Sequence, residues 1–412
     1  MTLSRADLAA LDAGDPLARH RDAFALPPDV IYLDGNSLGP LPKAVPARLA
    51  AVAEGEWGQG LIRSWNAAAW IDLPGRIGDK IARLIGARTG EVIVADSTSI
   101  NLFKVLAGAL ALNPGRHVVL SEPENFPTDL YVIEGLLEFG SGGHSLRLAP
   151  PETLSTAIDT DTAVVALTHV NYRSGAMHDL AGLTSRAHQG GALVVWDLAH
   201  SVGAMPLDVM SANVDFAVGC GYKYLNGGPG APAFVYVAER HQASFRQPLT
   251  GWLGHAAPFA FEPSYRPAPG IGRCLCGTPP VLSLAALEVG VDLALEADLV
   301  EVRRKSTRLG ELFVELVEER CAAHELSLAS PRASAARGSQ VSFRHRHGYP
   351  IVQALIARGV IGDFRAPDLL RFGLAPLYLR YVDVWDAVAA LADVLDSRAW
   401  DRTDFHRRHP VT

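Results

Sequence analysis

The chain has 412 residues, more than one ordinary core accommodates, so a large domain with a smaller companion is expected. Hydrophobic residues make up 49% and charged residues 20%, a globular composition that excludes a disordered chain. The formal net charge of −7 argues against nucleic acid or an anionic membrane as partner, so an anionic ligand needs a site built locally for it.

The first residues mix Asp7, Asp12 and Asp15 with Arg5 and Arg19 and contain no apolar segment of the kind a secretory signal needs. The longest apolar run, around 105–112, is too short to cross a bilayer. Four cysteines do not make a disulfide framework, and Cys274 and Cys276, one residue apart, match neither a zinc knuckle nor a redox motif. Buried thiols, a cytoplasmic setting and no bound metal are the expectation.

In chain order, the stretch to about Asp29 reads as helical and then proline-broken, like an arm. Residues 31–39, Ile-Tyr-Leu-Asp-Gly-Asn-Ser-Leu-Gly, are a short apolar run entering a turn-rich loop. From about residue 90, apolar runs recur at 92–95, 118–120, 163–168, 193–197, 216–219 and 233–237, with helical patterns such as 101–112 and 180–189 between them. Val-rich runs alternating with helices predict an α/β fold whose mainly parallel sheet is buried on both faces. A helix over about 282–299 leads into a smaller α+β unit with strands at 340–344 and 370–373 and a last helix near 384–395. The expected division is 1–60 as an arm with part of the small domain, 61–285 as the large domain and 286–412 as the small one.

Ligands of open α/β sheets sit beyond the carboxyl ends of the strands. Thr98 and Ser99, the stretch Asn125 to Asp129, His169 and Asn171, Asp197 and His200, and Lys223 all follow predicted strands. Of the five lysines, Lys43, Lys80, Lys104 and Lys305 lie in settings where a solvated charge is the simple expectation. Lys223 lies in Gly-Cys-Gly-Tyr-Lys-Tyr-Leu-Asn-Gly-Gly, so its amine either reaches back to solvent or has its pKa lowered for Schiff-base chemistry. Asp197 ends an apolar strand, where a carboxylate needs a cationic partner; a protonated pyridine nitrogen is one, and a simple capping role is the alternative. Thr98 and Ser99 precede a helix starting near residue 100, which suits either a phosphate or an ordinary cap. Phe126 and Asp129 read equally as cofactor neighbours or as a core ring and a turn residue, and His200 as a ring neighbour or a structural imidazole.

Asp-Leu-Ala-His at 197–200 and Gly-Tyr-Lys-Tyr-Leu-Asn-Gly-Gly at 221–228 resemble the fold-type I, class V aminotransferase branch of pyridoxal 5′-phosphate (PLP) enzymes. The resemblance narrows to the kynureninase family through Tyr-Leu-Asp-Gly-Asn-Ser-Leu-Gly (32–39), Asp-Ser-Thr-Ser-Ile-Asn-Leu (96–102), Asn-Phe-Pro-Thr-Asp (125–129), Gly-Trp-Leu-Gly-His (251–255) and Arg-Phe-Gly-Leu-Ala-Pro-Leu-Tyr (371–378). It implies a seven-stranded large-domain sheet and hydrolysis of L-kynurenine, with 3-hydroxy-L-kynurenine as a second substrate, to anthranilate or its hydroxylated form and L-alanine. It places PLP on Lys223, with Thr98, Ser99, Tyr222, Trp252 and Thr278 at the phosphate. Phe126, Pro127, Thr128, Asp129, Thr168, Asp197 and His200 would surround the ring, with Tyr222 as a proton donor. Arg371 would take the substrate α-carboxylate, with Asn36, Ser37 and Trp65 nearby. The resemblance also implies a homodimer whose partner subunit supplies Trp252 and Thr278. The competing readings are a cysteine desulfurase or selenocysteine lyase using Cys274 or Cys276, and a catalytically silent PLP-binding protein. A nicotinamide-binding fold lacks its glycine fingerprint here.

Overall fold

The computed structural model describes residues 3–140 and 142–409. Strand β1 (Ile31–Tyr32) belongs to the N-terminal arm. The next seven strands are β2 (Val92–Ala95), β3 (Val118–Ser121), β4 (Ser145–Leu148), β5 (Thr162–Thr168), β6 (Leu193–Asp197), β7 (Phe216–Gly219) and β8 (Ala233–Val237). They form one sheet in the order β2-β8-β7-β6-β5-β3-β4, in which β8 alone runs antiparallel to its neighbours. Strands β2, β3, β5, β7 and β8 are buried from end to end, as a sheet covered on both faces requires, and their Val and Ile content suits that setting. Strand β4, Ser-Leu-Arg-Leu, escapes sequence reading because it is a half-exposed edge strand with no apolar run.

One face of the sheet is covered by helices Thr98–Leu112 and Pro127–Phe139, whose Leu102, Val105, Leu106 and Ile133 pack on Val119, Val195 and Val235. Helices Leu73–Ile85 and Val281–Leu295 cover the other, burying Ile77, Ile81, Leu284 and Leu287 against Val92, Val94 and Trp196. Gly78 makes that contact close: a Cβ there would stand 2.3 Å from the Val92 carbonyl oxygen. The predicted helix over 282–299 ends at Leu295, and Asp298 caps a second helix, Leu299–Arg320, by accepting from Val300 N–H at 2.8 Å.

The smaller sheet contains β9 (Ser327–Leu328) and β10 (Gln340–Arg344), followed beyond a short strand β11 (Val360–Ile361) by β12 (Asp363–Arg365) and β13 (Leu369–Gly373). Its order is β12-β13-β10-β9, antiparallel throughout. Helices Leu299–Arg320, Gly348–Ile356 and Tyr381–Asp396 supply Leu309, Phe313, Ile351, Val384 and Val388 to its core. The arm joins this body: β1 pairs in parallel with β11, and Leu8, Leu17, Phe24 and Leu33 are buried in the same core.

Two lysines expected in solvent are buried. The Lys104 amine is ion-paired with Asp96 and donates to the Cys274 carbonyl at 2.7 Å. The Lys305 amine sits 2.6 Å from Asp15 and 2.7 Å from the Pro376 carbonyl. Periodicity places both residues on helices, but a four-carbon stem can thread an apolar layer when its head meets an acceptor beyond it. The Asp15–Lys305 pair therefore fastens the arm to the small body. Asp15→Ala strands a buried ammonium and should lower unfolding free energy by roughly 3 kcal/mol, the scale of breaking a buried pair. A urea midpoint matching wild type would show that the arm is held by its apolar contacts alone.

Candidate active site

The carboxyl ends of the parallel strands share one edge of the large sheet, and because β8 runs the other way its first residues arrive there too. A cavity of about 640 Å³ opens at that edge, a size suited to a small ligand. Its lining takes Asp96, Thr98 and Ser99 from beyond β2, Phe126, Thr128 and Asp129 from beyond β3, and Thr168 from the end of β5. Asp197 and His200 come from β6 and its following turn, and Tyr222 and Lys223 from beyond β7.

Asp96, at φ +46°, turns β2 sharply into helix Thr98–Leu112, and its ion pair with Lys104 pins the turn. The helix begins two residues earlier than the sequence suggested, because Ser97 is the cap, accepting from Ile100 N–H at 3.4 Å. Thr98 and Ser99 thus sit in the first turn, whose N–H groups lack intrahelical partners and, with the helix dipole, favour an anion. Asn125 sets the next loop by accepting from Thr168 N–H at 2.9 Å and donating to Ser121 Oγ at 3.1 Å, joining the ends of β3 and β5. The Thr168 hydroxyl is buried and has no partner among the described residues.

Asp197 is buried, and its Oδ1 accepts from Ala199 N–H at 2.7 Å. Burial raises its pKa, against the pull of the Lys223 charge. Burial pushes Asp129 well above the carboxylate range, the Asp197 charge adds to this, and Lys223 opposes it. Two buried carboxyl groups therefore share the cavity with one lysine side chain, an arrangement that favours a further cation between them. Burial, then the charges of Lys223 and Arg371, hold His200 well below the usual imidazole range. Burial raises the Tyr222 phenol.

Among the described residues, no hydrogen bond or ion pair engages the Lys223 amine, which lies 6.0 Å from the Phe126 ring centroid and 5.9 Å from that of Tyr222. The other lysines are committed or remote: Lys80, Lys104 and Lys305 are ion-paired, and Lys43 is exposed. The donor set fits a phosphorylated pyridine aldehyde. It offers a helix N-terminus for the phosphate, a buried carboxylate for a ring nitrogen, an unsatisfied hydroxyl, Phe126 and His200 as ring neighbours, and a free amine for the aldehyde. No cluster of described His, Cys, Asp or Glu residues has the makings of a metal site.

Other expected site residues lie outside the lining. Pro127 opens helix Pro127–Phe139 between two lining residues. Trp252 packs edge-on against Trp65 at 6.4 Å and Phe259 at 5.7 Å, and Thr278 is exposed; neither they nor Trp65 line this chain's own cavity. Arg371 is buried one residue away from the cavity wall. Its fork, expected to be open to substrate, is occupied: it is ion-paired with Asp363, and it donates to Ser37 Oγ and the Tyr172 carbonyl, both at 2.6 Å. Only Nε lacks a partner. Asn36 donates to Gln340 Oε1 at 3.1 Å.

Two residues at the site carry no motif. Tyr172 lines the cavity and meets the Phe126 ring edge-on at 5.1 Å. Gln340 reaches in from β10 of the other sheet to His200 Nδ1, 3.0 Å away. Sequence reading had no signal for either, since Tyr172 lies in an irregular loop and Gln340 looks like any strand residue. Cys274 is fully buried with its thiol pushed up to about 12, and neither it nor Cys276 lines the cavity.

Three comparisons with known proteins bear on the family. Residues 302–391 match the model of the kynureninase C-terminal domain. A kynureninase of Pseudomonas fluorescens is 56% identical over 414 residues, covering 99% of this chain and all of that one. A kynureninase of Burkholderia pseudomallei strain K96243 is 55% identical with the same coverage. Among solved structures, a cysteine desulfurase from Thermococcus onnurineus NA1 superimposes with a TM-score of 0.78 at 19% identity, covering 92% of this chain and 98% of that one. The cystine C-S lyase C-DES gives 0.78 at 20%, covering 89% and 98%. At such low identity these last two establish the fold alone. Full-length identity above half to curated relatives decides the narrower question: the chain belongs to the kynureninase family.

Proposed function

We propose that this protein hydrolyses L-kynurenine to anthranilate and L-alanine, using pyridoxal 5′-phosphate carried on Lys223. The observation that carries the reading is an amine with no partner among the described residues, sharing one cavity with a buried carboxylate, in a chain that matches kynureninases over 99% of its length. Bound there, PLP supplies an electron sink that acidifies the substrate's Cα–H and lets its Cβ–Cγ bond break once the γ-carbonyl is hydrated.

The chain's own groups divide the remaining work. Asp197, whose carboxyl pKa is raised by burial, would pair with the protonated ring nitrogen. Thr98 and Ser99 seat the phosphate at the helix start. Asp129, beside Thr128 in the cavity wall, would face a polar group at the ring's edge. With the group bound, the Lys223 amine would serve as the base that takes the proton from the substrate's Cα. Tyr222, kept protonated by burial, is the donor to the departing β-carbon. Arg371 receives the α-carboxylate through its unpartnered Nε, and Ser37 yields its place on the fork as substrate enters.

A desulfurase or selenocysteine lyase needs a reactive thiol at the cavity, and the burial of Cys274 and the position of Cys276 argue against one. Trp57, Leu61, Ile62, Phe259 and Phe261 expose apolar side chains, which supports a homodimer in which Trp252 and Thr278 complete the partner's phosphate site. A cytoplasmic setting is proposed with it; no helix among the described residues is long and apolar enough to cross a membrane.

The direct test is turnover of L-kynurenine by PLP-loaded protein, followed through anthranilate fluorescence. No anthranilate from protein fully loaded with cofactor would leave the silent PLP-binding reading standing. Asp197→Asn keeps the shape and removes the charge, so turnover should fall at least about a hundredfold, the scale of losing one preorganised electrostatic contact. Near-normal turnover at full occupancy would assign the ring nitrogen to another group. Arg371→Lys keeps the charge on Asp363 but loses the planar fork, so kcat/KM should drop by at least about tenfold. An unchanged kcat/KM would confine Arg371 to its ion pair.

A further inference from the structure

Gln340 is placed where the two sheets meet. It opens β10 of the small sheet, yet its carboxamide is buried among residues of the large one. Nε2 donates to two backbone carbonyls, Asn171 at 3.2 Å and Tyr172 at 3.0 Å. Oε1 accepts from Asn36 Nδ2 at 3.1 Å and lies 3.0 Å from His200 Nδ1.

The orientation of a carboxamide is ordinarily ambiguous, because its oxygen and nitrogen look alike. Here it is not. A carbonyl only accepts, so the end facing Asn171 and Tyr172 must be the NH₂ group. The other end is then an acceptor, and the ring nitrogen beside it must carry a hydrogen. With Nδ1 protonated, a neutral imidazole leaves Nε2 as an unprotonated acceptor, on a ring that lines the cavity. The charged groups around the imidazole, Lys223, Arg371 and Arg365, all disfavour a second proton on it.

We propose that Gln340 is a positioning residue that fixes His200 as the Nδ1–H tautomer and so ties the small sheet to the imidazole beside the cofactor. The catalytic consequence rests on the PLP reading above. The tautomer is a property of the protein alone. Because Gln340 travels with β10 while its four partners belong to the large sheet's loops and the arm, separation of the two bodies would release the imidazole, and their closure would restore it. Asn36, from the arm, shares the same Oε1, so three separate segments of chain meet on one amide.

The test is nitrogen-15 NMR of histidine-labelled protein, with and without PLP, His200 being identified by the signals that disappear in His200→Gln. Wild type should show a protonated, pyrrole-type Nδ1 and an unprotonated, pyridine-type Nε2 at neutral pH in both forms. Gln340→Met fills the space without an acceptor, so the Nδ1–H preference should disappear and kcat/KM fall by about tenfold, the scale on which hydrogen-bond partners of metal-bound imidazoles act. A protonated Nε2 in wild type would overturn the assignment, even if the Met variant does not fold. A folded Gln340→Met protein with the wild-type nitrogen pattern would also overturn it, because Gln340 would then be a packing residue only. Failure to bind PLP would refute the cofactor reading and leave the tautomer measurement intact.

Discussion

A carboxylate taken out of water must meet a positive charge or give up its own, and the site is organised around how Asp197 meets that condition. The residue ends an apolar strand in the middle of the sheet, so it is buried and meets solvent only through the cavity. Among the described residues it finds one backbone N–H and the more distant charge of Lys223. That incomplete satisfaction is what the proposed cofactor's cationic ring nitrogen would relieve. The same scarcity of cations explains Lys223: an amine already ion-paired, as Lys104 and Lys305 are, would have to break a buried contact before it could bind an aldehyde. The free amine and the underpaired acid are two sides of one electrostatic arrangement.

The rest of the fold serves to hold those groups in register. Parallel pairing delivers the polar residues of several strands to one edge, and because β8 runs antiparallel to β7, the glycine-rich segment after Lys223 stays at that edge. On the other side, Arg371 and Gln340 link the small sheet to the loop around Tyr172 through its carbonyl. The cavity is thus walled by one body and braced by the other, and the arm contributes Ser37 and Asn36 to the brace.

Much of this was legible in the sequence. The central strands are continuous apolar runs with polar residues at their ends, so both the sheet and the edge holding the site could be read from them. What was not legible depended on exposure and contacts that only the folded chain defines. Strand β4 is an exposed edge without an apolar run. Lys104 and Lys305 look solvated until Asp96 and Asp15 are brought to their heads by folding. Arg371 reads as an open carboxylate receptor until β12 places Asp363 beside it. Gln340 has no local pattern at all, since its partners lie well over a hundred positions away in sequence. Spacing reports what one segment does, whereas pairing between the two bodies is set only by the packed core.

The central claim is that the unpaired amine of Lys223 carries the cofactor. Borohydride reduction of PLP-loaded protein followed by peptide mass mapping tests it directly. The account predicts a pyridoxyl group on the peptide containing Lys223 and on no other lysine. Modification at Lys104, or reduced protein with no pyridoxyl group after reconstitution, would contradict it.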